Sequence, residues 1–393
     1  MAFVAKAYVL TNKIQYYEWG ERGRSAYIAK LVGEQVDEDI PFAELWMGTH
    51  PLGTSLLKYG DHLVLLSDLV QRYPEEILGQ RVATDFVSQF PFLLKILSAN
   101  EPLSIQLHPS KEQAVALRLK DPAHYPDSNH KPEIAIAIDR LLALAGLRAA
   151  NQIEELMTEF PALADFVEFE TALDQPKKQQ PLLAFQALLS NAMSQPNEME
   201  QVIEQIAIQI GRKPEPSYRD NLFLEMRAKY PGDVGLLAIF FLKLHSLRKG
   251  EALFIPAGVP HAYLKGNIVE CMASSDNVIR GGLTPKFKDL PALLHITTSQ
   301  PPLLCTPNGN DYTYPTPARE FSIRKLTLES GQSITEARDS VSILLILRGK
   351  LRLTWEDDAL DARRGHSILI PANLGQVTME CLEACEIYKV DVP

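Results

Sequence analysis

Apolar and polar positions follow two different rhythms along this chain, and the change between them divides it. Up to about Leu147 the apolar residues come in short, nearly continuous runs bounded by turn residues. Examples are Phe92-Leu93-Leu94-Lys95-Ile96-Leu97 and Glu133-Ile134-Ala135-Ile136-Ala137-Ile138. Runs of this length with weak alternation predict strands covered on both faces. Helices are expected to interrupt them from Pro41 to Leu45 and from Leu69 to Leu78. From about Ala149 to Pro231 the spacing becomes that of amphipathic helices. Val202, Ile203, Ile206 and Ile210 share one face, with Gly211 as the stop. Asn197-Glu198-Met199-Glu200 reads as a capping box opening that helix. Further helices are predicted from Pro181 to Leu189 and from Arg219 to Lys229, ahead of Pro231-Gly232.

One segment repeats. Gly250-Glu251-Ala252-Leu253-Phe254-Ile255-Pro256-Ala257 aligns with Gly365-His366-Ser367-Ile368-Leu369-Ile370-Pro371-Ala372. A glycine turn, an apolar strand and a proline six residues on suit small jelly-roll β-barrels. In register, His261 falls opposite Gln376, so the second copy lacks that imidazole.

The candidate chemistry gathers around the first copy. Gln106 and His108 are two apart, which on a strand puts both side chains on one face. Glu133 heads the second apolar run, and His261 follows the strand and turn of Phe254-Ile255-Pro256-Ala257-Gly258-Val259-Pro260. Two imidazoles, a carboxylate and an amide oxygen form an N2O2 set for a divalent metal, zinc first. With only one anionic ligand, the ion would keep positive charge for polarising a substrate oxygen. Ser104 sits two residues before Gln106 and Lys131 two before Glu133, so strand geometry aims both into the same cavity. These ligands flank the helical block on both sides, which makes it an insertion. The expected architecture is mainly β with a helical insertion. One barrel comprises 1–148 and 232–295, a helical domain 149–231, and a second barrel without metal 296–393.

A length of 393 residues suits two or three domains. The charge, 39 minus 49 or −10, comes with no basic run, which argues against nucleic acid and anionic membranes as partners. A small phosphorylated substrate is compatible with it, since one local cationic pocket suffices. The stretch from Met1 to Leu10 is too short in apolar residues for a signal peptide, and the run Val234 to Leu242 is too short to span a membrane. Cys271, Cys305, Cys381 and Cys385 show no C-x-x-C spacing, which suits reduced thiols in the cytoplasm.

Longer motifs sharpen this picture. They are Glu44-Leu45-Trp46-Met47-Gly48-Thr49-His50-Pro51, Ser104-Ile105-Gln106-Leu107-His108-Pro109, Asn129-His130-Lys131-Pro132-Glu133 and Tyr230-Pro231-Gly232-Asp233-Val234-Gly235. Pro260-His261-Ala262-Tyr263-Leu264, Glu270-Cys271-Met272-Ala273 and the run from Ser275 to Lys286 through Arg280-Gly281-Gly282 complete the set. With these the chain resembles the type I phosphomannose isomerases of the cupin superfamily. It departs at Leu107 and Gly281, where the family usually carries alanine. The resemblance implies two cupin-type jelly-roll barrels, and one zinc per chain held by Gln106, His108, Glu133 and His261. It implies interconversion of mannose 6-phosphate and fructose 6-phosphate through an enediol, by a monomer whose partner is the sugar phosphate. Arg280 matches the family's signature arginine. A guanidinium stays protonated, so its expected work is to stabilise the enediolate or orient sugar oxygens. Proton transfer falls to Lys131 or Glu270, with Asp276 and His50 as further candidates. Ser104, Lys95 and Lys286 are the expected phosphate contacts, and Trp19, His50 and Asp276 the expected sugar-pocket residues. Plainer readings stand beside these: Lys95 as a surface lysine on an edge strand, Trp19 as core, Asp276 as a turn cap. An iron oxygenase is disfavoured by the fourth ligand Gln106, and a non-catalytic sensor by Lys131, Glu270 and Arg280.

Overall fold

The structure, a computed structural model, describes residues 3–34, 38–337 and 339–393. Met1 and Ala2, at the head of the segment weighed as a signal peptide, lie outside the described residues. Every strand pair in the two large sheets is antiparallel, as hairpin-linked barrels require. The first sheet has 11 strands along the path Leu303–Cys305, Ala252–Ile255, Glu133–Ala137, His261–Ala273, Phe92–Ala99, Glu44–Met47 and Lys13–Gln15. Leu141–Leu147, Leu242–Leu247, Ile105–Leu107 and Ile279–Gly282 complete it. The second sheet has 10 strands and is built around the long hairpin of Ser342–Trp355 and Val377–Asp391.

The repeated segments occupy equivalent places. Ala252–Ile255 and Ser367–Ile370 are four-residue strands, each two residues past a glycine with positive φ (Gly250 and Gly365). Two segments cross the boundaries expected from sequence. Tyr8–Thr11 pairs with Ser367–Ile370 in the second sheet, and Leu303–Cys305 pairs with Ala252–Ile255 in the first.

Between the two halves of the first sheet run the helices Ala150–Glu159, Pro161–Phe166, Phe169–Leu173, Gln180–Ser194, Pro196–Gly211 and Tyr218–Lys229. Their apolar stripes (Ile153, Phe185, Leu188, Ile206 and Phe223 among them) share one core with Ile105, Leu107, Ala262 and Leu264 of the sheet. The helices therefore cover the outer face of the strands that carry Gln106 and His261, whereas Ile134 and Ile136, beside Glu133, pack into the core between the two sheets.

Three local expectations fail for physical reasons. Pro41 to Leu45 is not helical. It enters the strands Pro41–Phe42 and Glu44–Met47, the latter buried at every position between Lys13–Gln15 and Phe92–Ala99. Burial on both faces removes the alternation that would have identified the strand. Leu69 to Leu78 falls in two helices, Leu66–Arg72 and Pro74–Leu78, because Pro74 has no N–H with which to continue the first. The predicted capping box at Asn197 lies inside its helix. Pro196–Gly211 opens with proline in the first turn after Gln195, whose side chain makes no cap, and the pre-set φ of proline takes over that role. Ser217 does cap Tyr218–Lys229, accepting from the N–H of Asp220.

Candidate active site

Alternation along two strands builds the centre of the site. Ile105 and Leu107 point outward into the helical core, so Gln106 points inward. Ala262 and Leu264 do the same, so His261 and Tyr263 point inward. His261 pairs with Gln106, and Glu133 pairs with Ile255 at the end of the strand that turns into His261, which brings the three elements together. His108 follows the last residue of Ile105–Leu107, and its carbonyl accepts from the N–H of Gly258 (2.8 Å) in the turn leading to His261. Gly258 has φ +76°, and a Cβ there would meet the carbonyl oxygen of Ile296 at 2.6 Å, so this turn demands glycine.

His108, Glu133 and His261 converge, with one donor atom from each lying within 4.8 Å of the others. His108 Nε2 is 3.2 Å from Glu133 Oε2 and His261 Nε2 is 3.1 Å from Glu133 Oε1. Each ring is oriented from behind: His108 Nδ1–H donates to the carbonyl of Asn277 (2.9 Å) and His261 Nδ1–H to that of Val259 (3.0 Å). Those bonds fix the tautomer that leaves both Nε2 lone pairs facing the cluster. Burial, with Lys131 adding, pushes the His108 imidazole down to about 4, so it is neutral near pH 7. Burial pushes the Glu133 carboxyl up, but Lys131 and the two imidazoles outweigh it and hold the group well below the usual range. A carboxylate between two imidazoles whose Nε2 atoms face it is a set that could hold a divalent cation. His108 Nε2 and Glu133 Oε2 are buried with no hydrogen-bond partner among the described residues, which fits a shared ion. The Gln106 amide reaches 3.5 Å from His261 Nε2, close enough to offer its oxygen after a half-turn of the amide.

The proton-transfer candidates occupy different places. Lys131 is not on a strand, since Glu133–Ala137 begins two residues later, yet its Nζ lies 3.4 Å from Glu133 Oε2. Glu270 is buried on His261–Ala273 and paired at 3.2 Å with Lys95. Burial, with Glu133 and Glu44 adding, raises the Glu270 carboxyl above its ordinary value despite Lys95 and Lys131. His50 Nε2 and Asp276 Oδ1 bind each other at 2.8 Å, and the N–H of Leu52 donates to His50 Nδ1. That pair borders a cleft of about 770 Å³ whose lining includes none of His108, Glu133 and His261.

Arg280 stands directly opposite Gln106 on neighbouring strands. Its strand, Ile279–Gly282, is braced by Asp233, which accepts from the N–H groups of Gly235 (2.7 Å) and Leu283 (2.8 Å) and from Lys288 (2.6 Å). Among the described residues no carboxylate pairs with Arg280, and burial lowers its pKa from the ordinary value. Its charge is therefore available to a ligand.

The phosphate candidates lie in different settings. Lys95 is no surface lysine. It lies buried in the central strand Phe92–Ala99, and Glu44 (3.6 Å) and Glu270 (3.2 Å) already match its charge. Ser104 precedes Ile105–Leu107 instead of lying on it, and is part-buried. Lys286 is exposed and sits 5.9 Å above the Tyr17 ring. Trp19 is part-buried, against Tyr17 on one side and the barrel interior on the other.

Three contributors escaped the sequence reading. Tyr263 donates to Glu133 Oε1 (3.0 Å), and its position two residues after His261 was a readable signal. Asp127 accepts from Ser275 Oγ, Asp276 N, Asn277 Nδ2 and Asn129 N, tying down the loop whose carbonyl orients His108. Nothing in Pro126-Asp127-Ser128 marks this beyond an ordinary turn. Glu44 is the third, known in sequence only as part of a motif.

An imidazole–carboxylate–imidazole cluster inside an antiparallel barrel, ringed by buried lysines and carboxylates, defines a cupin enzyme with a candidate metal centre. Comparison with known proteins narrows this. Residues 8–150 match the phosphomannose isomerase type I catalytic domain, and 310–389 the mannose-6-phosphate isomerase cupin domain. The chain is 37% identical to mannose-6-phosphate isomerase of Homo sapiens over 94% of each chain. It is 34% identical to mannose-6-phosphate isomerase 2 of Arabidopsis thaliana, covering 96% of this chain and 92% of that one. Among solved structures, a point variant of phosphomannose isomerase from Salmonella typhimurium superposes with TM-score 0.84 at 30% identity, covering 99% of this chain and all of that one. A zinc-bound mannose 6-phosphate isomerase gives 0.83 at 29%, with the same coverage. The chain belongs to the type I phosphomannose isomerase family and is an aldose–ketose isomerase.

Proposed function

We propose that this enzyme interconverts mannose 6-phosphate and fructose 6-phosphate through an enediol, with one zinc ion per chain held by Gln106, His108, Glu133 and His261. The observation that carries this reading is the convergence of His108 Nε2, His261 Nε2 and the Glu133 carboxylate, with both rings locked from behind. The donor set suits zinc, and a relative with the same fold was solved with zinc bound. Zinc supplies positive charge that stabilises an enediolate and polarises a substrate oxygen. Arg280, beside Gln106 and unpaired, adds a planar cationic donor pair for the same developing charge. Lys131 or Glu270 carries the proton between C1 and C2. Buried, unpaired cysteines suit a cytoplasmic setting.

A coupled assay with mannose 6-phosphate, run with and without a chelator, tests the reading. Turnover should disappear on chelation and return when zinc is restored. Turnover that survives complete metal removal would sink the metal-dependent mechanism.

The proton carrier is separable with substrate deuterated at C2. Lys131→Met deletes the amine and Glu270→Gln the carboxylate at nearly constant volume, so packing changes little. If Lys131 is the base, the first variant loses solvent exchange at C2 and the second keeps part of it. The reverse result assigns the base to Glu270. Normal exchange in both removes both residues from the role.

A further inference from the structure

Glu44, Lys95 and Glu270 form a row across three neighbouring strands on the inner face of the first sheet. Lys95 faces Glu270 in one register and Trp46 in the other, with Glu44 on the same face two residues before Trp46. All three ionisable groups are buried, at 7%, 7% and 3% exposure. Lys95 Nζ lies 3.2 Å from Glu270 Oε2 and 3.6 Å from Glu44 Oε2. The indole N–H of Trp46 donates to that same Glu44 oxygen, and its ring lies 5.2 Å from Lys95 Nζ. Trp46 thus aims Glu44, and Glu44 aims Lys95.

The groups bearing on Glu270 are Lys95, Glu44, Lys131, Glu133 and Tyr263. Two lysines face three carboxylates in this wall of the cavity. Of the carboxylates, Glu133 has the two imidazoles and Tyr263 for company, and Glu44 has the indole. Among the described residues Glu270 has its ion pair with Lys95 alone, and shares it.

We propose that Glu44 is a positioning residue for the isomerisation: by taking part of Lys95 for itself, it leaves Glu270 incompletely paired and therefore able to accept and release a proton. A Lys95 devoted wholly to Glu270 would hold that carboxylate ionised and inert. Burial with the repulsion of Glu133 and Glu44 already shifts Glu270 upward, in keeping with this division. The inference rests on the isomerase reading above and on a part for Glu270 in proton transfer.

The test is the pH dependence of kcat/KM on mannose 6-phosphate for the zinc-loaded wild type, Glu270→Gln, Glu44→Gln and Glu44→Asp. The limb missing from Glu270→Gln marks the ionisation that matters. In Glu44→Gln, which keeps an acceptor for Trp46 but no charge, that limb should move to lower pH by about one unit, with kcat falling roughly tenfold. Glu44→Asp should restore most of the shift, which a purely structural role would not produce. Trp46→Phe, which leaves both charges but removes the donor aiming Glu44, should move the limb the same way, and carries the test if Glu44→Gln does not fold. An unmoved limb in folded variants overturns the inference, as does a Glu270→Gln profile that keeps both limbs. A wild type that does not turn over mannose 6-phosphate removes the isomerase reading itself, and the inference with it.

Discussion

The His261→Ala variant is expected to purify without stoichiometric zinc and to lose turnover almost completely, while remaining folded. His261 opens its strand with its ring fully enclosed, and its Nε2 is one of only two imidazole nitrogens in the cluster. Alanine removes that nitrogen and also leaves the buried Glu133 with one fewer neighbour. The loss of activity should exceed the roughly 10–100-fold that removal of an outer-shell partner of a metal ligand costs. The packing loss is on the order of 2–4 kcal/mol, from a small cavity and a lost hydrogen bond. The remaining cores do not depend on this ring: the helical block, the second sheet and the inter-sheet cluster are apolar and continuous without it. Metal analysis and a melting curve on one preparation decide the matter. Full zinc occupancy in a folded variant would overturn the four-ligand assignment.

Replacing Arg280 with lysine should lower kcat by about 10²–10³-fold while changing KM far less. The substitution keeps a positive charge and loses the planar, two-pronged donor. Arg280 stands opposite Gln106 on a strand that Asp233 and the contact of Gly282 with Gly235 hold in place; a Cβ on Gly282 would come within 2.4 Å of Gly235 Cα. A rigid donor aimed at a fixed point stabilises charge that develops during reaction more than charge already present. An ammonium on a flexible stem cannot keep that aim. Steady-state kinetics separate the two roles. A raised KM with normal kcat would make Arg280 an anchor for the phosphate.

The parts of the site that were legible in the sequence are those coded by local spacing. Gln106 follows from two-residue alternation, because Ile105 and Leu107 are drawn outward into the helical core, and His261 from the strand and turn that precede it. Lys131 is expected on a strand, facing the same cavity as Glu133. It is not on a strand, but the extended backbone that Pro132 imposes on the residue before it preserves the strand-like facing. For Lys95 the sequence leaves both a phosphate contact and a surface lysine open, because a lysine in an apolar run looks like an exposed break, and only the flanking strands reveal the two carboxylates that receive it. The helix expected from Pro41 to Leu45 runs into the strand Glu44–Met47 for a related reason: full burial removes the alternation on which the distinction depends. Asp127, Glu44 and the brace at Asp233 act through tertiary contacts, and no local pattern encodes them.

The seating of Tyr8–Thr11 bears on how the molecule is made. That strand lies between Leu56–Tyr59 and Ser367–Ile370, and Asn12 bonds to Ser367 across 355 positions of sequence. On the ribosome, Asn12 emerges 355 residues before Ser367, its partner in the strand on the other side. Until then the hairpin of residues 56–65 and the opening strand present an unpaired edge, the kind of surface that recruits foreign strands. The sheet therefore cannot close until the strand Ser367–Ile370 has emerged, and a nascent chain stalled before residue 367 retains that open edge however well its helices have packed.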